Sequence, residues 1–461
     1  MNLFRHLPLT TACLAALAFL QAGCDNRTQT NPPPASTIAT PSPKLDPWKI
    51  VLSPHVGDSA LDQKIIEAQR VVRTAADPAI ALEQLGWLFV AKARASFDNG
   101  FYKLAEQCAA CMESREPGNA SALLLRGHVL HNLHRFKEAE PIARTLVAQR
   151  GAPMDFGLLA DVTMEQGRLD EAVAACQQMM DLRPDSRAYA RAAHLRWLKG
   201  DLNGALTVMQ EAANSVGTRD AESAAWMQTR LAFYQFQSGQ NAAAHQSCDT
   251  ALRLQASYAP AMLLRGRLLL AEGQPALAVE ILEQAVRLNP LPEYFWALTE
   301  ALTETGQSER AQLARTMLAR HGTADDPRTY ALFLATKNDQ PDLAVKLARQ
   351  ELDQRADVFT YDALAWAQLA AGDTSAAQQN ISHALAEGTQ DARMLLHAAV
   401  IHQRTGDAPG AKNFLEKTYA LRHLLWPSER KHLENIMTEL AWQPNASVAQ
   451  IPSNNSSARA R

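Results

Sequence analysis

Two groups of cysteine and histidine residues carry the side chains best suited to chemistry. Cys108 and Cys111 form a C-x-x-C motif, and His128 and His131 are spaced i, i+3. A C-x-x-C pair could act as a redox couple or as half of a metal site, and two histidines one helical turn apart can converge on a metal. These four residues define one hypothesis, a metal or redox protein.

The surroundings of both groups favour structural roles instead. The C-x-x-C lies inside a predicted helix rather than at a helix N-terminus, where a thiolate would be stabilised. The sequence has no second C-x-x-C, and neither a carboxylate nor a cysteine follows the histidines at a ligand spacing. We therefore expect the cysteines to pack and the histidines to line a polar groove, with no metal and no cofactor.

Composition and motifs argue against several other function classes. The 461 residues carry a formal net charge of −3, whereas a nucleic-acid binder needs a concentrated basic face. The motifs G-x-x-x-x-G-K-[ST], H-E-x-x-H and G-x-S-x-G, which indicate phosphate, zinc and serine chemistry, do not occur. We predict neither an enzyme nor a nucleic-acid-binding protein.

An internal repeat predicts the helices that carry these cysteines and histidines. Alanine recurs every 33 or 34 residues, with one interval of 39, at Ala105, Ala139, Ala172, Ala205, Ala244, Ala278, Ala311, Ala344, Ala377 and Ala411. Five residues before each alanine stands a turn residue or its substitute: Gly100, His134, Gly167, Gly200, Gly239, Gly273, Gly306, Asp339, Gly372 and Gly406. A period of roughly 20–50 residues is typical of solenoid proteins.

Each unit contains two stretches whose apolar residues have helical spacing. The glycine between them permits the positive φ of a tight connection between helices. Small residues on the first helix, such as Ala160 and Ala193, and the repeated alanine on the second allow the helices to approach closely. One helix pair cannot cover its own apolar faces, so neighbouring pairs must stack on a shared core.

This pattern, with Pro117, Pro184 and Pro290 closing three units, resembles the tetratricopeptide repeat (TPR). The resemblance implies an all-α fold, a right-handed superhelical solenoid of about ten helix-turn-helix units over residues 86–425, with N- and C-terminal capping helices. Residues 48–85 supply the N-terminal segment and capping helix, and residues 426–442 supply the C-terminal capping helix.

Two stretches interrupt the regular pattern. The apolar, β-branched stretch WKIVLSP (48–54) is expected to be a short extended segment. The slip in the period falls at GTRDA (217–221), where we expect a longer loop between the fourth and fifth units.

The N-terminus resembles the signal of a bacterial lipoprotein. A short positive region and an apolar run precede Leu-Gln-Ala-Gly-Cys, which ends at Cys24 in the manner of a lipobox. The resemblance implies that residues 1–23 are removed and that Cys24 is lipidated, which places the protein in the bacterial cell envelope, facing the periplasm. Asp25 resembles the residue that retains such lipoproteins in the inner membrane.

The segments at both ends of the folded region have the composition of unstructured chain. Residues 24–47 are rich in Pro, Ser and Thr, and residues 443–461 are polar. Such segments bury too little apolar surface to fold, so we expect a tether and a tail.

The TPR resemblance also implies a binding groove. In that family positions 2, 5, 9 and 12 of each first helix face the concave surface. The aromatic, basic and histidine residues at these positions or beside them are predicted to form the groove: His128, His131, Arg187, Arg191, His194, Trp197, Trp226, Arg230, Phe233, Phe236, Arg267 and Trp296. Trp, Phe and Arg are well suited to binding an acidic or aromatic peptide segment, although Trp197 or Phe236 could instead pack between units.

These observations predict a lipid-anchored, periplasm-facing TPR scaffold that binds another envelope protein during envelope assembly or export. One alternative is an accessory of glycan or polysaccharide export whose groove aromatics stack on sugar rings. The other is the metal or redox protein that uses Cys108, Cys111, His128 and His131.

Overall fold

The computed structural model describes residues 46–217 and 220–444. The expected signal peptide, Cys24, residues 24–45 of the expected tether and the end of the tail lie outside the described residues. The described part contains 23 α-helices, one 3₁₀ helix and no β-strand. Within it, every helix is too short or too polar to cross a membrane.

Two helices precede the repeats, and they are α1 (Pro47–Val51) and α2 (Ala60–Thr74). The expected extended segment at 48–54 is wrong, because α1 occupies most of it. Asp46 caps this helix by accepting a hydrogen bond from the Trp48 amide at 3.0 Å. The Gln69 side chain donates to the Val51 carbonyl at 2.7 Å and thereby joins α1 to α2.

Ten consecutive helix pairs follow, as the repeat predicts. The first five pairs are α3 (Ala79–Ser96) and α4 (Gly100–Arg115), α5 (Ala120–Asn132) and α6 (Phe136–Gln149), α7 (Pro153–Glu165) and α8 (Leu169–Leu182), α9 (Ser186–Leu198) and α10 (Leu202–Ser215), and α11 (Ala221–Gln237) and α12 (Asn241–Leu254). The next five are α13 (Ala259–Ala271) and α14 (Pro275–Leu288), α15 (Pro292–Glu304) and α16 (Ser308–Asp325), α17 (Pro327–Lys337) and α18 (Pro341–Leu352), α19 (Val358–Ala370) and α20 (Thr374–Leu385), and α21 (Ala392–Arg404) and α22 (Ala408–Ala420).

The residues of the repeat occupy the places that close helix packing requires. The ten repeated alanines are all buried, with at most 3% of their surface exposed. Seven of the expected turn glycines have φ between 70° and 85°, and His134 has φ 58°. In the first unit the left-handed residue is Phe97 instead of the expected Gly100, and in the eighth unit Asn338 and Gln340 are left-handed instead of the expected Asp339.

The slip in the period lengthens a helix more than it lengthens a loop. α11 has 17 residues, whereas α9, the first helix of the preceding unit, has 13. The expected longer loop is therefore only part of the insertion, and the first helix of the fifth unit takes up the rest.

The solenoid turns back on itself, so that the third and fourth units meet the loops that precede α19 and α21. We call this set of contacts the seam. A Cβ on Gly167 would lie 2.2 Å from the Ala356 carbonyl oxygen. Nearby, Arg355 Nε lies 2.7 Å from a Glu165 carboxylate oxygen. The Thr389 hydroxyl donates to the Leu198 carbonyl, 191 residues earlier in the chain.

The array ends in a short 3₁₀ helix (Arg422–Leu424) and the C-terminal capping helix α23 (Pro427–Glu439). Leu425, Trp426 and Leu433 of this region are nearly fully buried. The helix α23 packs against α21 and α22 of the last unit and also against α15 of the seventh unit.

Candidate functional site

The first helices of the third to tenth units enclose a cavity of about 370 Å³ together with the C-terminal segment. We call it the central cavity. Its wall combines aromatic rings with guanidinium groups: Trp197, Phe233, Trp296, Phe359 and Trp426, and Arg230, Arg267, Arg328, Arg355 and Arg393. Six carboxylates also line it: Glu165, Glu293, Asp357, Asp362, Asp391 and Glu429.

Half of the predicted groove residues meet at this cavity. Those in its wall are His194, Trp197, Arg230, Phe233, Arg267 and Trp296. The structure places the other six outside the wall: His128, His131, Arg187, Arg191, Trp226 and Phe236.

Arg191 has a structural ion pair. Its Nε and Nη2 atoms donate to the two carboxylate oxygens of Asp161 at 2.9 and 2.6 Å. Burial acts to raise the pKa of Asp161, but the neighbouring guanidinium outweighs it and holds this pKa below its usual value. Arg187, one helical turn earlier, is exposed to solvent.

The two aromatic residues outside the wall differ in burial. Trp226 is 38% exposed on the surface of α11. Phe236 is almost completely buried, and its ring lies 5.7 Å from the His423 ring. Phe236 therefore belongs to the core, which is the packing role that the sequence left open for it.

His128 and His131 are held inside the second repeat. The His128 ring lies 5.2 Å from the Trp87 ring, and the His131 ring lies 5.5 Å from the Phe136 ring. The Nε2 atoms of both histidines are buried without a hydrogen-bond partner among the described residues. Burial lowers the pKa of His128 to about 3, so this ring is neutral at physiological pH.

The cysteines of the C-x-x-C motif are buried thiols. Cys108 and Cys111 are fully buried and form no disulfide. Burial raises the pKa of Cys111 to about 12 and that of Cys108 well above its usual value, so both thiols are protonated at neutral pH. Across the described ranges, no cluster of three or more His, Cys, Asp or Glu residues is arranged to hold a metal ion.

Three of the five cavity arginines have carboxylate partners. Arg328 Nη1 lies 2.9 Å from an Asp357 oxygen, and Arg355 pairs with Glu165 across the seam. Arg393 Nε donates to a Glu429 carboxylate oxygen at 2.5 Å. These pairs hold the wall together.

Arg230 is not neutralised in this way. Its Nη2 atom donates to the Tyr234 hydroxyl at 3.1 Å and lies 3.0 Å from His194 Nδ1. The guanidinium stacks 4.9 Å above the Phe233 ring. No carboxylate of the described residues lies within 4.0 Å of it.

Arg267 is only weakly compensated. Its Nη1 atom is 3.8 Å from a Glu293 oxygen, and its buried Nε has no hydrogen-bond partner among the described residues. The guanidinium lies 4.8 Å from the centre of the Trp426 ring. Burial lowers the pKa of Arg267 below its ordinary value, which means that this environment disfavours the charge.

Comparison with known proteins identifies the repeat. The tetratricopeptide repeat family matches residues 235–302, which cover α12 to α14 and most of α15. The match covers about two of the ten repeated units. Among curated protein sequences, none matches the chain.

Solved TPR-like solenoids are similar to this chain in structure. The human IFIT1 dimer with PPP-AAAA has a TM-score of 0.48 at 14% identity and covers 71% of this chain and 77% of its own. The APC/C hetero-tetramer Cut9-Hcn1 has a TM-score of 0.35 at 12% identity and covers 85% of this chain and 98% of its own.

Sequence reasoning missed part of the central cavity. Phe359 and Arg393 occupy position 2 of the ninth and tenth units, so the rule used for the earlier units also finds them. Arg355 and Trp426 lie in the loop before α19 and in the C-terminal segment. They reach the cavity only because the solenoid closes, which no repeat position indicates.

Proposed function

We propose that this TPR protein is a scaffold that binds a segment of another envelope protein in its central cavity. The observation that carries the proposal is the pair Arg230 and Arg267, two cations without close carboxylate partners in a wall that also contains Trp197, Phe233 and Trp296. A ligand that supplies a carboxylate would complete this wall.

The energetics favour this interpretation. A partly buried cation without a full partner costs stability, and replacing such a group with an apolar residue of similar size is often neutral or stabilising. An incoming carboxylate can form short, bidentate hydrogen bonds to a guanidinium, and these gain strength where water is excluded. Arg is also among the residues most enriched at binding hot spots.

The size of the cavity limits what enters it. A volume of about 370 Å³ is near the lower end of the range of roughly 300–1,000 Å³ that ligand pockets occupy. We infer that the cavity accepts a few side chains of the partner, including an acidic one next to an apolar or aromatic one, while the remainder of the partner stays outside.

The cellular location is part of the same proposal. The lipobox-like sequence before Cys24 and the Pro-rich residues 24–47 support a lipid anchor followed by a tether. On this arrangement the TPR array faces the periplasm, so its partner is another protein of the envelope.

A peptide ligand fits the wall better than a glycan does. Sugar binding by stacking needs an accessible ring face, but Trp197 is only 5% exposed and stacks against His194 and Phe359 at 5.7 and 5.6 Å. Trp296 is 1% exposed, and the Arg393 guanidinium lies 4.6 Å from its centre. We therefore favour recognition of a carboxylate over stacking on a sugar.

Cross-linked capture from the native envelope tests the proposal. The bait is the lipidated full-length protein, compared with the double variant Arg230→Gln/Arg267→Gln and with Arg187→Glu as a matched control outside the wall. We expect one protein to be captured by the wild type and by Arg187→Glu and to be lost from the double variant. Equal capture by all three baits would contradict binding in the cavity.

A further inference from the structure

The C-terminal segment from His423 to Lys431 lies across the ends of three first helices from the middle of the array. We call this segment the clasp. His423 Nε2 lies 3.0 Å from the Phe236 carbonyl oxygen near the end of α11. Arg430 Nη2 donates to the Leu270 carbonyl near the end of α13, also at 3.0 Å. The clasp thus links the fifth and sixth units to the end of the array.

The clasp also binds the seventh unit through one buried carboxylate. The backbone amide and the hydroxyl of Ser428 donate to the two Glu300 oxygens at 3.0 and 2.7 Å. A few residues on, Lys431 Nζ lies 2.8 Å from a Glu304 oxygen, and the lysine side chain is 67% exposed. Both carboxylates belong to α15, which carries Trp296 in the cavity wall.

The centre of the clasp presents an aromatic ring and a carboxylate to the central cavity. The Trp426 ring lies beneath Arg267 and 6.4 Å from the Trp296 ring. Glu429 accepts from Arg393 and, at 2.9 Å, from the Trp426 amide at the start of α23. The first turn of α23 therefore places a Trp-x-x-Glu sequence of this chain in the cavity wall. Its aromatic ring and carboxylate are the same groups that we expect a partner to present to this wall.

Several clasp contacts can be exchanged at small cost. The Phe236 and Leu270 carbonyls also accept from Gly239 and Gly273 at the helix ends, so they keep a partner when the clasp leaves. The exposed pair of Lys431 and Glu304 can be replaced by water. What holds the clasp most firmly is its buried part, which consists of the apolar side chains of Leu424, Leu425 and Trp426 and the ion pair of Glu429 with Arg393.

We propose that the clasp is a displaceable, intramolecular occupant of the partner surface. Building on the proposed function, we assign to the partner a protein helix whose first turn carries an aromatic residue followed three positions later by Glu. Such a helix takes the place of Trp426 and Glu429 against Arg267 and Arg393. The clasp then lowers the apparent affinity for partners, because only the fraction of molecules with an open clasp can bind.

The native contact of Lys431 with Glu304 provides a direct readout. A carbodiimide couples an amine to a carboxylate only at contact distance, so the cross-link reports the closed clasp in the full-length protein. The competitor is a synthetic peptide of residues 421–442 with blocked ends. The variants are Glu429→Gln, the milder Ser428→Ala, and the control Glu434→Gln on the exposed face of α23.

We expect Glu429→Gln to lower the cross-link yield several-fold and to bind the peptide at least tenfold more tightly than the wild type. Ser428→Ala should lie between them, and Glu434→Gln should match the wild type. Equal peptide affinity in all four proteins, or a cross-link that neither variant nor peptide reduces, would overturn the clasp. Envelope capture that survives Arg230→Gln/Arg267→Gln would instead overturn the proposed function, and these cross-link results would still stand.

Discussion

The carbonyl oxygen of Ala356 lies 2.2 Å from the point that a Cβ on Gly167 would occupy. The two residues belong to the third repeat and to the loop before the ninth, so the backbones of two distant repeats meet here. This contact leaves no room for a side chain. Together with the Glu165 and Arg355 pair, it closes one side of the central cavity.

Two glycine-to-alanine substitutions should separate two contributions to the unfolding free energy. One is the backbone strain of the turn, and the other is the close contact at the seam. Gly167 and Gly273 have φ 76° and 72°, so Ala is strained by about 1–2 kcal/mol at either. A Cβ on Gly273 meets nothing within 4 Å. We expect Gly167→Ala to lose about 1–3 kcal/mol more of the unfolding free energy because the backbone must shift. Equal losses in urea denaturation would contradict the seam.

The two arginines of α9 should respond differently to charge reversal. Arg191→Glu leaves the mostly buried Asp161 beside a second negative charge, and breaking such a pair costs about 3–5 kcal/mol. Arg187→Glu should leave the thermal midpoint nearly unchanged because this side chain is exposed. Partner capture should not depend on Arg187. A similar fall in thermal midpoint for both variants would show that the assignment of Arg191 to the core is wrong.

The repeat could be predicted because it is encoded locally. The turn glycines and the buried alanines act within one helix pair, so their spacing alone specifies ten pairs. The helix α1 was not predicted because the stretch from Trp48 to Val51 is apolar and β-branched. The signal that overrides this preference is the Asp46 cap that precedes it.

Only some of the cavity residues could be predicted, because the cavity forms where the solenoid turns back on itself. Repeat positions lead to Trp197, Arg230 and Arg267, which line the cavity. They do not indicate that Phe236 is covered by His423, which is 187 residues away in sequence. Contacts that join distant repeats arise from the cumulative rotation of the array, and no single repeat records that rotation.

Arg267 should lower the stability of the folded protein. Because its Nε is unpartnered and its nearest carboxylate is 3.8 Å away, Arg267→Met should leave the thermal midpoint unchanged or raise it, while partner capture falls. Arg393→Met is the comparison, since it leaves the buried Glu429 unpaired and uncovers Trp296. We expect that variant to unfold at a lower temperature. A clear loss of stability in Arg267→Met would show that Arg267 is structural.

Stability should fall at mildly acidic pH because of buried neutral histidines. Burial lowers the pKa of His128 and of His194 to about 3, whereas each titrates near 6.5 in the unfolded chain. Below about pH 7 the unfolded state therefore binds protons that the native state does not. Between pH 7.5 and 5.5 each histidine should remove about 1.4 kcal/mol of unfolding free energy.

The variants His128→Gln and His194→Gln test this dependence one residue at a time. Each should flatten the pH profile of urea denaturation by the amount assigned to one histidine, whatever its effect on stability at pH 7.5. An unchanged slope in either variant would mean that the corresponding ring is protonated in the folded protein.

Partner binding in the central cavity can be tested directly with a photo-cross-linking amino acid placed inside it. Substituted at Phe233, which is partly buried in the wall, it should form one discrete adduct with a partner after irradiation of the native envelope. At Leu313, which is 64% exposed on α16, it should form none. The Phe233 adduct should disappear when Arg230 and Arg267 are both changed to Gln. Equal adducts at both positions, or none at Phe233 in a folded protein, would contradict binding in the central cavity.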